Sequence, residues 1–189
     1  MQTLRICLSL IRSDLTRLKK GKYLFFQCIR FLITNASFKI TFWFRIGSYL
    51  KNRNDIISKI LYFLVILIYK GKQYKTGIQL PLGTPIGKGL SFSHFSCIVI
   101  NNGSFIGDFC TIFQGVTIGS VRGKGAPKIG NYVVIAAGAK VIGDITIGNN
   151  VFIGANAVVA SNIPDNAVVG GIPAKIINMK GVYNTSLYR

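Results

Sequence analysis

The chain has 189 residues, half of them hydrophobic, and a formal charge of +18 from 23 Lys and Arg against five acidic residues. That length holds one domain with a core, or a repeat domain with a helical cap, and the apolar content excludes a disordered chain. One histidine and five aspartates exclude a zinc site built on several histidines, and Cys7, Cys28, Cys97 and Cys110 form no CxxC pair, so no metal site is expected and the thiols read as reduced ones of a cytoplasmic protein.

Residues 1–75 read as α-helical. Leu4, Cys7, Leu8, Ile11, Leu15 and Leu18 recur at spacings of three and four, with Arg5, Arg12, Arg17, Lys19 and Lys20 opposite them. Residues 23–50 are rich in aromatics from Tyr23 to Tyr49, interrupted by Arg30, Lys39 and Arg45. Asn52 to Asp55 reads as a turn and a helix start. Ile60–Tyr69 is a continuous apolar run between Lys59 and Lys70. It falls short of the roughly 20 apolar residues that cross a bilayer. The run suits a helix buried against its neighbours or in an oligomer interface, or one lying on the inner face of an anionic membrane; a spanning hairpin with the flanking aromatic segment is the remaining alternative. The charge excess of this half implies an anionic partner, and no nucleic-acid motif accompanies it, so no nucleic acid is expected.

Residues 76–178 are organised by a period of six. An aliphatic recurs at Ile129, Ile135, Val141, Ile147, Ile153 and Val159 without a slip. A second series falls at Val133, Ala139, Ile145, Val151, Ala157 and Ile163. Earlier blocks run Leu80, Ile86, Phe92, Ile98 and then Ile106, Ile112, Ile118. Such self-similarity predicts a β-solenoid: each six-residue unit is a short strand plus a bend, and three units make one coil. A helix is excluded, because this period with so many Gly and β-branched residues draws no 3.6-residue stripe. Two slips interrupt the pattern. One places two extra residues between Ile98 and Ile106; the other ejects about five residues from the Gly119–Lys128 stretch as a basic, Gly-rich loop. Residues 179–189 read as a tail.

The repeats Ile106-Gly107, Ile118-Gly119, Ile129-Gly130, Ile147-Gly148 and Ile153-Gly154, with the closing stretch Ile163 to Lys175, resemble the hexapeptide-repeat acyltransferases. The segment Ile78–Gly119 is most similar to serine acetyltransferases and to colanic-acid-type exopolysaccharide acetyltransferases. The resemblance implies a left-handed parallel β-helix, a homotrimer or dimer of trimers, and acetyl-CoA lying in a groove between neighbouring copies. It puts the catalytic base on His94. It also exposes departures. Where serine acetyltransferases carry an Asp fifteen residues before the histidine, another just before it and an acid eight after it, this chain has Gln79, Ser93 and Asn102; where they carry a second histidine it has Ala126. Gln79, Ser93, Asn102 and Gln114 are therefore the candidates for holding the acceptor or orienting the base. The expected reaction is O-acetylation of a hydroxyl on a capsular, exopolysaccharide or lipopolysaccharide glycan. The alternatives are serine O-acetylation and a β-helical scaffold without catalysis.

Acetyl transfer to an alcohol requires removal of the hydroxyl proton as the oxygen attacks the thioester. An imidazole can take that proton near neutral pH and return it to the departing thiolate. CoA offers a pyrophosphate and a 3′-phosphate. Arg122, Lys124, Lys128, Lys140 and Lys175 are candidate partners for them, with Lys175 placed best within Pro-Ala-Lys. By the resemblance, Gly119, Ala137 and Ala155 are positions where pantetheine amides meet backbone.

Overall fold

The computed structural model describes residues 3–18 and 24–188, so Lys19, Lys20 and Tyr23 lie outside the described residues. Four helices come first: α1 (Leu4–Leu18), α2 (Leu24–Thr34), α3 (Ala36–Lys51) and α4 (Ile56–Thr76). Their boundaries follow from local chemistry. The Asn35 side chain accepts from the Phe38 N–H at 2.8 Å and starts α3, and Asp55 accepts from the Ser58 N–H at 2.9 Å and starts α4. Gly77, at a left-handed φ of 66°, ends α4. Cys7, Ile11 and Leu15 of α1 bury their stripe against Phe38 of α3, with Phe31 and Leu32 of α2 alongside.

A buried ion pair fixes this cap to the rest of the chain. Arg45 of α3 donates from Nε to Asp14 of α1 at 2.9 Å, and its two remaining nitrogens reach the carbonyls of Ile86 and Gly87. Asp14 also accepts from the Leu90 N–H. Ile40 and Phe44 of α3 and Tyr69 of α4 then join the core of the second half directly.

That second half is a three-sided parallel coil stack. Its strands are β1 (Ser91–Phe92), β2 (Val99–Ile100), β3 (Phe105–Ile106), β4 (Thr111–Ile112), β5 (Thr117–Gly119), β6 (Lys128–Ile129), β7 (Val134–Ile135), β8 (Lys140–Ile142), β9 (Thr146–Ile147), β10 (Phe152–Ile153), β11 (Val158–Val159), β12 (Val168–Gly170) and β13 (Lys175–Asn178). Every third strand stacks. One face is β1-β4-β7-β10-β12, closed by antiparallel β13; a second is β2-β5-β8-β11; a third is β3-β6-β9. Ile106, Ile112, Ile118, Ile129, Ile135, Val141, Ile147, Ile153 and Val159 form one fully buried column. Burying so many aliphatics is the main favourable term in holding such short strands together.

Two expectations about register are corrected. Phe92 pairs with Ile112 and Ile100 pairs with Ile118, so the column runs from Phe92 to Ile100 rather than to Ile98. Ile98 is also buried, and two buried isoleucines two apart fit the pattern equally well from sequence. The extra two residues therefore sit within Ser93–Val99, not between Ile98 and Ile106. Ile163, placed in the second series above, instead bridges Ile147 and occupies the main column, because the corner at 160–162 is shortened. The ejected loop is as expected: Val121 and Lys124 pair across a tight turn outside the coil. The last residues form a short helix, α5 (Gly181–Ser186).

Candidate functional site

His94 lies in the two-residue bulge between β1 and β2. Its side chain is exposed, as are its neighbours Ser93 and Phe95. The bulge opens on a hollow of about 280 Å³ lined by Thr34, Asn35, Ala36 and Ser37 from the α2–α3 junction, with Ser93, His94 and Phe95. Its polar lining, besides the imidazole, consists of the hydroxyls of Thr34, Ser37 and Ser93 and the amide of Asn35. The imidazole rests 6.0 Å from the ring of Phe113, tilted by 57°. No hydrogen bond from a described residue reaches it.

The bulge heads a corner of the solenoid. The Gly115 N–H donates to Ser96, that of Gly138 to Gln114, and that of Asn156 to Ala137. Ser96, Gln114, Ala137 and Ala155 thus stack as one corner column, each followed by a residue with positive φ: Cys97 at 50°, Gly115 at 71°, Gly138 at 74° and Asn156 at 56°. Three of the sequence candidates (Gln114, Ala137 and Ala155) are brought into line with His94 in this way. The Oε1 of Gln114 is buried and accepts no hydrogen bond. Lys140 reaches the same corner, donating from Nζ to the Gly115 carbonyl.

The other candidates lie elsewhere on the chain. Gly119 ends β5 at the opposite edge of the same sheet, with space beside its Cα for a ligand atom: a Cβ there would meet only Thr117 Cγ2, at 3.8 Å. Asn102 is exposed on the turn between β2 and β3, also at that far edge, where Asn101 meets Ser120. Arg122 and Lys124 sit on the ejected turn, and Lys128 faces solvent from the third sheet. Lys175 is exposed opposite Gly170, where the chain folds back over the top of the corner column and the Ala174 N–H donates to Val158. Gln79 pairs its backbone with Val99 and lines a different hollow, shared with Tyr69, Gln73 and Leu80, so it does not touch His94 within this chain. Sequence reasoning did not find Phe113 or the α2–α3 junction. Asn35 carried a signal as a helix cap, while Phe113 is an outward position next to a column isoleucine and carried none.

The chain is similar to proteins of known family over most of its length. Residues 126–161 match the bacterial transferase hexapeptide (six repeats) family. A serine acetyltransferase of Staphylococcus xylosus is 44% identical over 131 residues, covering 68% of this chain and 61% of that protein. A solved serine acetyltransferase in complex with cysteine superposes with a TM-score of 0.77 at 27% identity, over 94% of this chain and 72% of the other. Residues 126–161 thus carry the hexapeptide repeat, and the chain has the left-handed β-helix fold of the serine acetyltransferases it superposes on. A serine acetyltransferase solved in complex with CoA matches with a TM-score of 0.75 at 27% identity over 93% of this chain and 72% of that one. The chain spans between about half and three-fifths of the length of the curated relatives it matches. The helical cap lies inside the structural match, since 94% coverage leaves few residues out.

Proposed function

We propose that this hexapeptide-repeat protein transfers an acetyl group from acetyl-CoA to a hydroxyl, with His94 as general base. The observation that carries the reading is the placement of the single imidazole, exposed in a bulge at the head of a straight corner column. The column offers backbone amides and carbonyls for an extended pantetheine arm, and Lys175 stands at its far end for a phosphate. His94 removes the acceptor proton as the oxygen attacks the thioester carbonyl. The imidazolium then protonates the departing thiolate. In a trimer, whose interfaces are heterologous, the opposite sheet edge with Gly119, Arg122 and Asn102 would face a different edge of the neighbouring copy, such as its His94 corner.

Free serine is the first acceptor to test, because the curated relatives of 44–48% identity bear the name serine acetyltransferase. A second reading, a glycan hydroxyl, is favoured by one observation. The residues around His94 supply hydroxyls and one amide but no carboxylate to pair with an ammonium group. Thiol release from acetyl-CoA is followed with serine and with neutral sugars as acceptors. His94→Ala should lower turnover with the better acceptor by about 10²–10⁴-fold while acetyl-CoA still raises the melting temperature. Full turnover in that variant removes His94 from the mechanism.

A further inference from the structure

Helix α4 presents an outward face that its own fold does not cover. At about 100° per residue, Val65 and Tyr69 point inward, against the coil stack and α3, and are buried. Over its first four turns the opposite arc carries the large apolar side chains Ile57, Ile60, Phe63, Leu64, Leu67 and Ile68, and its last turns continue with Gly71 and the exposed Tyr74. Phe63 is 62% and Leu67 57% exposed, so this is a continuous apolar strip and not a set of isolated surface residues. Lys59 and Lys70 flank it on one edge and Lys72 on the other, with Lys75 at its end. Helix α4 contains no acidic residue, and the nearest one, Asp55, is held by Arg53 at 3.4 Å. Among the described residues no helix is long and apolar enough to cross a membrane.

We infer that α4 lies flat in the headgroup region of an anionic lipid membrane, its apolar arc inserted and its lysines on lipid phosphates. The charge distribution selects this occupant. A second copy seated on α4 would bring two chains of +18 together with lysines on both rims and no carboxylate to answer them. An anionic bilayer supplies the opposite charge along the whole strip and hydrocarbon beneath it. From Ile57 to Ile68 the strip itself carries no hydrogen-bonding side chain, and the polar groups of α4 (its lysines and the Tyr74 hydroxyl) stand at its rims and end, an arrangement that fits lipid chains beneath headgroups.

The experiment uses the full chain and vesicles of phosphatidylcholine, alone or with about one-third phosphatidylglycerol. Flotation should recover the protein with the anionic vesicles and leave it behind with the neutral ones. Leu64→Asp/Leu67→Asp should abolish recovery while melting temperature and turnover on a soluble acceptor stay unchanged, since neither residue touches the His94 hollow. Lys59→Glu/Lys70→Glu should weaken recovery at least about tenfold and keep the apolar strip intact. Wild-type protein that stays unbound, binds both vesicles alike, or binds no better than the Leu variant overturns the inference. So does a fall in the molar mass of the assembly in the Leu variant, which would assign the strip to a second copy. Turnover is read in the same samples, so failure of lipid binding is told apart from failure of the acetyl-transfer reading.

Discussion

The His94 imidazole packs against the ring of Phe113, 6.0 Å between centroids, and Phe113 in turn meets the edge of Tyr188 at 5.6 Å. Tyr188 is itself fixed, because its carbonyl accepts from Arg17 of α1 at 2.6 Å. The imidazole proposed as the base is therefore steadied by a row of rings, with no hydrogen bond from a described residue. Phe113→Ala should lower kcat by about ten- to a hundredfold through misplacement of the imidazole, with the KM for acetyl-CoA little changed. Phe113→Tyr should restore most of the loss. An unchanged kcat in the alanine variant would remove Phe113 as a positioning residue.

Arg45 and Asp14 tie three separate stretches of chain together, since the pair also engages the carbonyls of Ile86 and Gly87 and the N–H of Leu90. Both side chains are almost fully buried. Removing one partner strands a charge in a dry site, which typically costs about 3–5 kcal/mol. Arg45→Ala should lower stability by that amount in urea unfolding. Arg45→Met/Asp14→Leu should lose less than the single variant, because no lone charge remains. Equal stability of Arg45→Ala and wild type would show that the pair is not what docks the cap.

The solenoid was legible because its rule is local: an aliphatic every six residues, seen from Ile129 to Val159, has one structural solution. Where two buried isoleucines stand two apart, as at Ile98 and Ile100, the rule cannot choose, and the bulge that carries His94 was placed six residues too late. The pairing of Phe92 with Ile112 and of Ile100 with Ile118 resolves it. The hollow around His94 was not legible at all. Its far wall comes from Thr34 to Ser37, about sixty residues earlier, brought there by the docking of α3 on the first coil. Helix α4 was foreseen as a helix, but its burial was left open, and the structure leaves its outer face bare.

Ile147 tests the column. It is 1% exposed and pairs with Ile129 below and Ile163 above. Ile147→Asp places a carboxylate between those two side chains with no cation within the stack, at a cost of several kcal/mol. Its expected product is insoluble or unfolded by circular dichroism, while Ile147→Val remains folded within about 1.5 kcal/mol of wild type. A soluble, cooperatively melting Ile147→Asp protein would contradict the register.

The four thiols should separate cleanly by environment. Cys97 is exposed at the left-handed corner three residues after His94. Cys110 is buried under the neighbouring coil, and burial pushes its pKa up to about 12. The thiolate is the reacting form, so a raised pKa keeps Cys110 neutral and inert across the ordinary pH range. Burial likewise raises Cys7, and more weakly placed Cys28 moves in the same direction. Iodoacetamide applied to native protein should label Cys97 first, and Cys110 should stay unlabelled up to about pH 9.5. In urea all four should react. Because Cys97 adjoins the His94 bulge, its adduct should also depress turnover, whereas Cys97→Ala should leave the melting temperature near wild type and remove the sensitivity to the reagent. Peptide mapping by mass spectrometry with parallel assays decides it: rapid native labelling of Cys110, or full activity after complete labelling of Cys97, would place the corner column differently from the arrangement described above.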